Sequence, residues 1–270
     1  MKNENKRHSW WISIGILCLF GTVISVGWYY FVFLNKDSNP HNAKTIGSLP
    51  LPLGYTRVLE KEGSYAAWLR SLPLKPRGTK VLLYNSNTPS NYQWLSAAVV
   101  NVPLLSNDEQ CADVCIHMWA EYLFQTKQYN NIRFTALNGE QMTYTGGADR
   151  KAFEKYMRKV FSTCNTTSMR KSLDTRELKD LQIGDVFVYP HRKVAGKNRY
   201  GHAMMVADMA VNKRTGKKVF LLIEGNTPAR DIHVVRNLNR FHNPWFHLNE
   251  KDETLHLNVF KFSSKDLRHF

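Results

Sequence analysis

Residues 201–226 read GHAMMVADMAVNKRTGKKVFLLIEGN. Two apolar runs, 201–210 and 219–223, flank a Lys/Arg/Gly segment at 213–217, the pattern of a β-hairpin. If the turn centres near residue 214, position 202 stands opposite 226. Side chains at 202, 204, 224 and 226 then share one face, because a strand repeats every two residues. On that register Asn226 is the direct neighbour of His202 and Glu224 its diagonal neighbour. Both can accept a hydrogen bond from an imidazole N–H. Asp208 has the same parity but lies about 20 Å up the strand, out of reach.

Further strands are expected on either side of this hairpin. GDVFVY at 184–189 reads as a strand, and Asp185 as a residue that stabilises its entry turn. Residues 255–262 alternate apolar and polar and give a last strand. KVLLY at 80–84 reads as another, and a strand pair is expected around 133–137 and 141–144. An apolar run occupies 97–105. The segment 240–248, RFHNPWFHL, is expected as a loop packed on the core, or as part of a cleft wall.

Helical spacing appears in GSYAAWLRSL at 63–72, which Pro73, Pro76 and Gly78 terminate, and in the amphipathic stretch 149–161. The strongest helix has the body EQCADVCIHMWAEYLFQTK, residues 109–127. Ser106, Asn107 and Asp108 offer caps, with Glu109 three residues after Ser106 as in a capping box. Residues 111, 115, 118, 119 and 122 fall on one apolar face. Helix first, then antiparallel strands, gives the class α+β.

A nucleophilic thiol needs a lowered pKa, an imidazole in reach and a third group that orients that imidazole. Cys111 lies in the first turn of the capped helix, where unpaired N–H groups and the helix dipole favour a thiolate. Gln110 can donate its amide hydrogens to an oxyanion. His202 opens a strand directly after Gly201, at a sheet rim where a helix end can meet it. Glu224 and Asn226 are the candidate orienting acceptors, and His233 is a rival for that place. Cys115, one turn below Cys111, reads as core. Cys164, at a helix end, reads as core or half-exposed. Asp113 and Glu121 read as a solvated face. Cys111 and Cys115 share a helix face, but His117 points about 200° round from Cys115. With no second ligand cluster, neither a metal nor any other cofactor is expected.

These blocks together carry a resemblance. QCADVCIHMWAEYL at 110–123 resembles the motif of CHAP-type amidases and peptidases in which Gln-Cys opens a helix. GDVFVYP followed by GHAMMV resembles their block of Gly-Asp, a strand, then Gly-His and apolar residues. EGN at 224–226 resembles their Glu-x-Asn pattern. CHAP domains are relatives of the NlpC/P60 group within the papain-like hydrolases, which cut peptidoglycan peptides. The resemblance implies a papain-like fold, with Cys111 as nucleophile, His202 as base, Glu224 and Asn226 as orienting acceptors and Gln110 as oxyanion helper. The chain as a whole also resembles a bacterial membrane or secreted family known as a domain of unknown function.

The N-terminal segment sets the location. No residue from Trp10 to Leu34 is charged, and at 1.5 Å per residue such a helix is about 37 Å long, enough to span a bilayer with some tilt. Trp10 and Trp11 mark one end, and Trp28, Tyr29 and Tyr30 the other, as in interfacial belts. Lys2, Lys6 and Arg7 favour a cytoplasmic N-terminus. The stretch is too long for a cleaved signal peptide, and it lacks a small-residue cleavage site. The expected order is a tail at 1–9, an anchor at 10–34, a linker at 35–50 and an extracytoplasmic domain at 51–270. Whether 51–105 form a separate cap or share the core stays open.

Lys and Arg number 37 against 22 Asp and Glu, a net charge of +15. Such a surface attracts anionic partners, here an anionic cell-wall polymer or peptide substrate. No zinc-finger spacing, RNP signature or phosphate-cradling loop is present, so no nucleic-acid partner is expected. Cys18 lies in the apolar stretch, and the three remaining cysteines cannot all pair. The expected function is a membrane-anchored thiol hydrolase acting on cell-wall peptide. The alternatives are a non-catalytic binding or scaffold protein on the same fold, and a papain-like acyltransferase or lipid hydrolase.

Overall fold

The computed structural model describes residues 38–270, except 195–196 and 239–243, together with Gly21, Thr22 and Ser25. The chain divides into two compact units, 1–37 and 38–270. The anchor expected over 10–34 lies outside the described residues, apart from Gly21, Thr22 and Ser25, which are helical. Among the described residues no helix is long and apolar enough to cross a membrane.

The second unit is α+β: four α-helices packed with a large antiparallel sheet. Its spine is the hairpin of β9 (His202–Asn212) and β10 (Lys218–Glu224). On the hydrogen-bonded path of the sheet, β11 (His233–Val235) follows β10 and β2 (Ser96–Val99) forms the edge. On the other side of β9 come β6 (Val186–Tyr189), β15 (Leu267–His269) and β5 (Asp174–Thr175). β1 (Tyr55–Arg57) pairs with the far end of β9, and β12 (Phe246–His247) with β10. β9 and β10 are buried over most of their length. That explains their near-continuous apolar runs.

The β9–β10 register contains a bulge. Leu221 pairs with Asp208, but Leu222 pairs with Val206. Beyond the bulge the pairing follows the register expected for a turn centred near 214, so His202 and Glu224 share a face. Asp208, wholly buried, receives Arg57 Nε at 2.7 Å and Arg70 Nε at 2.5 Å.

Helix α1 (Tyr65–Ser71) carries Arg70. Helix α2 (Cys111–Gln125) crosses the sheet and is buried on nearly every side. The single apolar face expected for α2 is a correction: Trp119, Tyr122 and Phe124 are its partly exposed positions and Gln125 is exposed, while Asp113, His117 and Glu121 are buried. The start of α2 is also corrected. Gln110 is its N-cap and receives reinforcement from Asp113, whose Oδ2 accepts the Gln110 N–H at 3.1 Å. Glu109 instead points inward, taking the Leu105 N–H at 2.7 Å and His117 Nδ1 at 2.6 Å. Helix α3 (Arg150–Thr163) starts at the Asp149 cap, and α4 (Thr166–Ser172) at the Asn165 cap.

The pair β3 (Arg133–Thr135) and β4 (Gln141–Thr143) forms as expected. β7 (Arg192–Val194) and β8 (Lys197–Arg199) form a small hairpin just before His202. The strand expected over 80–84 makes only isolated bridges, Leu82 to Pro89 and Leu83 to Arg230. The strand expected over 255–262 is two strands, β13 (Thr254–Leu257) and β14 (Phe260–Ser263), joined at Asn258 with φ +58°. Asparagine tolerates that left-handed conformation, and its side chain is held by Leu238 N and Arg236 O.

The linker expected over 35–50 is likewise corrected from residue 38 onward. Asn39 is fully buried and bonds Ala43 through both backbone groups, and Ile46 and Leu49 enter the core. Residues 51–105 belong to the same core, through Leu69, Leu72, Ala98 and Val100.

Candidate active site

Two glycines let the elements of the site approach one another. A Cβ on Gly201 would lie 2.1 Å from Thr166 Oγ1 and 2.7 Å from the Tyr189 carbonyl. A Cβ on Gly225 would lie 2.5 Å from Val114 Cγ2, on the first turns of α2. Without a side chain at Gly201 the start of β9 seats against α4 and β6, and without one at Gly225 the end of β10 seats against the start of α2. Cys111 opens the helix, His202 opens β9, and Glu224 closes β10. Three element termini thus deliver three side chains to one point, and each is buried.

The His202 imidazole faces the Cys111 thiol closely enough to act on its charge. His202 Nε2 lies 2.7 Å from Glu224 Oε2. With Nε2 committed to the carboxylate, Nδ1 is the nitrogen left for the thiol. Burial by itself would raise the thiol pKa. Hydrogen bonding and charge attraction from His202, with the Ala203 and Ala112 N–H groups, bring it below the ordinary value. Burial would lower His202, but Cys111 and then Glu224 raise it to about 9. Burial would raise Glu224, but His202 and His233 bring it down to about 2. The three shifts favour a thiolate, an imidazolium and a carboxylate held in line. The other two thiols contrast with this: burial pushes Cys164 up to about 11 and Cys115 well above its usual value.

Glu224, the diagonal neighbour, takes the orienting place. Asn226 does not: β9–β10 pairing ends at Ile223 and Met205, and Asn226 instead accepts the Thr227 N–H at 2.8 Å. Gln110 Oε1 accepts from Thr227 Oγ1 at 2.5 Å, and its amide hydrogens meet no acceptor among the described residues. His233 stands behind Glu224, its Nε2 3.3 Å from Oε1.

Phe260 was not legible as a site residue. It stacks on His202 with ring centroids 3.6 Å apart and 8° between planes, and Phe262 lies at 6.4 Å. An aromatic face over an imidazolium is attractive and excludes water. Phe260 reaches His202 only because Asn258 folds residues 254–263 into a hairpin. The sequence gives no local sign of that contact.

The other acidic candidates are structural. Asp113 and Glu121 do not form a solvated face. Asp113 caps α2, and Glu121 pairs with Arg150 Nη1 at 2.7 Å and accepts from Gln125. Asp185 accepts the Gln182 N–H at 2.8 Å, as expected of a turn residue, and burial raises its pKa to about 7. His117 faces Glu109 and Glu121.

A family model described as "Domain of unknown function (4846)" matches residues 47–149 and 146–269, and the chain belongs to that family. No curated protein and no solved structure matches the chain.

Proposed function

We propose that this protein is a membrane-anchored cysteine hydrolase with a papain-like fold, similar to CHAP and NlpC/P60 enzymes, that cuts amide bonds in cell-wall peptide. The observation that carries the reading is the buried line from the Cys111 thiol through His202 to Glu224, lying at the start of a helix. A structural cysteine in an apolar core has no need of an imidazole and a carboxylate behind it. Buried charges are costly unless paired. Here they are paired in the order that nucleophilic catalysis uses.

The Cys111 thiolate attacks the carbonyl carbon, and the C=O electron pair moves onto oxygen. The Cys111 N–H and the Gln110 amide hold that oxyanion. As the thiolate becomes the neutral sulfur of the tetrahedral adduct, His202 loses its largest charge partner and becomes a stronger acid. It then protonates the leaving amine nitrogen as the C–N bond breaks, and collapse of that adduct leaves the thioester. Water, deprotonated by the now neutral His202, attacks the thioester and frees the carboxylic acid. The expelled thiolate and the imidazolium re-form. Glu224 stays ionised throughout, fixing the tautomer and stabilising the imidazolium.

The substrate class rests on the resemblance and on the anchor expected over residues 10–34, which sets the basic domain outside the cytoplasmic membrane. The net charge of +15 favours an anionic wall polymer, with an attraction that weakens as salt rises. The test is release of new amino groups from purified wall fragments by the wild-type chain and by Cys111→Ala. Release that depends on Cys111 supports the reading. Equal release, or none under conditions where Cys111 is reactive, removes cell-wall peptide as the substrate.

A further inference from the structure

Glu224 uses its two carboxylate oxygens unequally. Oε2 lies 2.7 Å from His202 Nε2. Oε1 is buried and finds no hydrogen bond of good geometry among the described residues. His233 Nε2 lies 3.3 Å from it, long for a hydrogen bond but within ion-pair range. The contact follows from sheet register, because Glu224 and His233 are directly opposed on β10 and β11. Both side chains are almost wholly buried.

The groups that face Glu224 come from several elements. His202 lies on β9, His233 on β11, Arg230 on the segment before β11, Cys115 on α2, and Tyr189 on β6. Arg230 is engaged elsewhere, with Ser90 Oγ at 2.7 Å and the Thr227 carbonyl at 3.0 Å. Cys115 and Tyr189 add no positive charge. His233 is therefore the group placed to hold Oε1. It is itself held, since its Nδ1 sits 3.2 Å from the Asp231 carbonyl. Asp231 is fixed in turn by Lys75 Nζ at 3.0 Å and the Leu82 N–H at 3.0 Å.

We infer that His233 is a positioning residue that grips Glu224 Oε1 and so keeps Oε2 on His202, extending the site to Cys111–His202–Glu224–His233. A carboxylate held at one oxygen alone can turn about its terminal torsion, which is broad and roughly two-fold. One held at both cannot. The inference rests on the hydrolase reading above, because it matters only if His202 must be aimed at Cys111.

Two substitutions separate position from mere packing. His233→Gln places an amide nitrogen where Nε2 was and keeps a donor toward Glu224. His233→Asn places its nitrogen where Nδ1 was and drops the contact with Glu224. Both are polar and smaller than histidine, and thermal midpoints of both check folding. The readout is the rate of Cys111 alkylation by iodoacetamide across pH, resolved per cysteine by mass spectrometry on the full chain in detergent. The expected result is that His233→Asn moves the rising limb of the Cys111 profile up by about one pH unit, while His233→Gln leaves it near wild type. A limb that moves in neither variant overturns the inference, whatever the thermal midpoints do. Equal movement in both also overturns it, because charge rather than position is then at work. A wild-type limb already at the ordinary thiol value, about 8.5, overturns the hydrolase reading itself and this inference with it.

Discussion

Glu224 is where sequence reading and structure meet most closely. Its carboxylate, not the Asn226 amide, orients His202. Glu224→Gln keeps an acceptor for the imidazole N–H but removes the negative charge that helps to raise His202. The imidazolium then stabilises the thiolate less, and the Cys111 pKa climbs. Alkylation of Cys111 at pH 6 is expected to slow by about tenfold, one pKa unit; an unchanged rate would show that the charge does not reach the thiol. Gly201 carries a steric prediction. Gly201→Ala drives a methyl into Thr166 and the Tyr189 carbonyl, which is expected to cost about 1–3 kcal/mol of stability, measured by urea denaturation. No loss would mean that the rim of β9 is looser than this geometry.

At the scale of elements, α2 matters most, and a buried ion-pair network fixes its start. His117, on the second turn, reaches back to Glu109, two residues before Cys111, and Glu109 also holds the Leu105 N–H. Burial would lower the His117 pKa, but Glu109 first and then Glu121 raise it to about 9. Its folded value lies above its ordinary 6.5. The stability it contributes is fully present below pH 6.5 and is lost as pH rises through about 9. His117→Phe leaves Glu109 buried without its partner, at an expected cost of about 3–5 kcal/mol, and removes that pH dependence. A variant as stable as wild type at pH 6.5 would contradict this account of the helix start.

What the sequence made legible followed range. The β9–β10 hairpin, the Cys111 helix, the β3–β4 pair and the α3 helix all announce themselves by local periodicity, caps and turn residues. The contact between His202 and Glu224 was legible because it depends on one hairpin register. The bulge at Ala207 matters here: with it, the simple count to a turn near 214 holds at the site, although pairing near the turn is one residue off. Phe260 over His202, His233 behind Glu224 and Glu109 inside the helix start were not legible. Each depends on where a distant segment lands in three dimensions. Residues 38–50 hide their place for the same reason: polar, Pro- and Gly-bearing sequence resembles a linker, while Asn39, Ile46 and Leu49 are buried residues whose partners lie far along the chain.

At the scale of the whole molecule, this docking yields a boundary prediction. A fragment beginning at residue 51 loses Ile46 and Leu49 from the core, about 1.5–3 kcal/mol for each side chain. A 38–270 fragment is therefore expected to resist urea markedly better than 51–270. Equal midpoints would return 38–50 to the linker. The proposed anchor makes a separate prediction. The full chain should sediment with membranes and need detergent for release, and deletion of 1–37 should free the domain. A full chain that stays in the supernatant without detergent would remove the anchor from the account.

The central claim is that Cys111 is a thiolate because His202 faces it. It is tested most directly by iodoacetamide labelling of the full chain across pH, read per cysteine, beside His202→Ala. The account predicts that Cys111 reacts below pH 7, where Cys115 and Cys164 stay protonated by burial, and that the variant loses this advantage. If Cys111 reacts no faster than Cys164, or reacts equally with and without His202, the thiolate–imidazolium pair is absent and the hydrolase reading is contradicted.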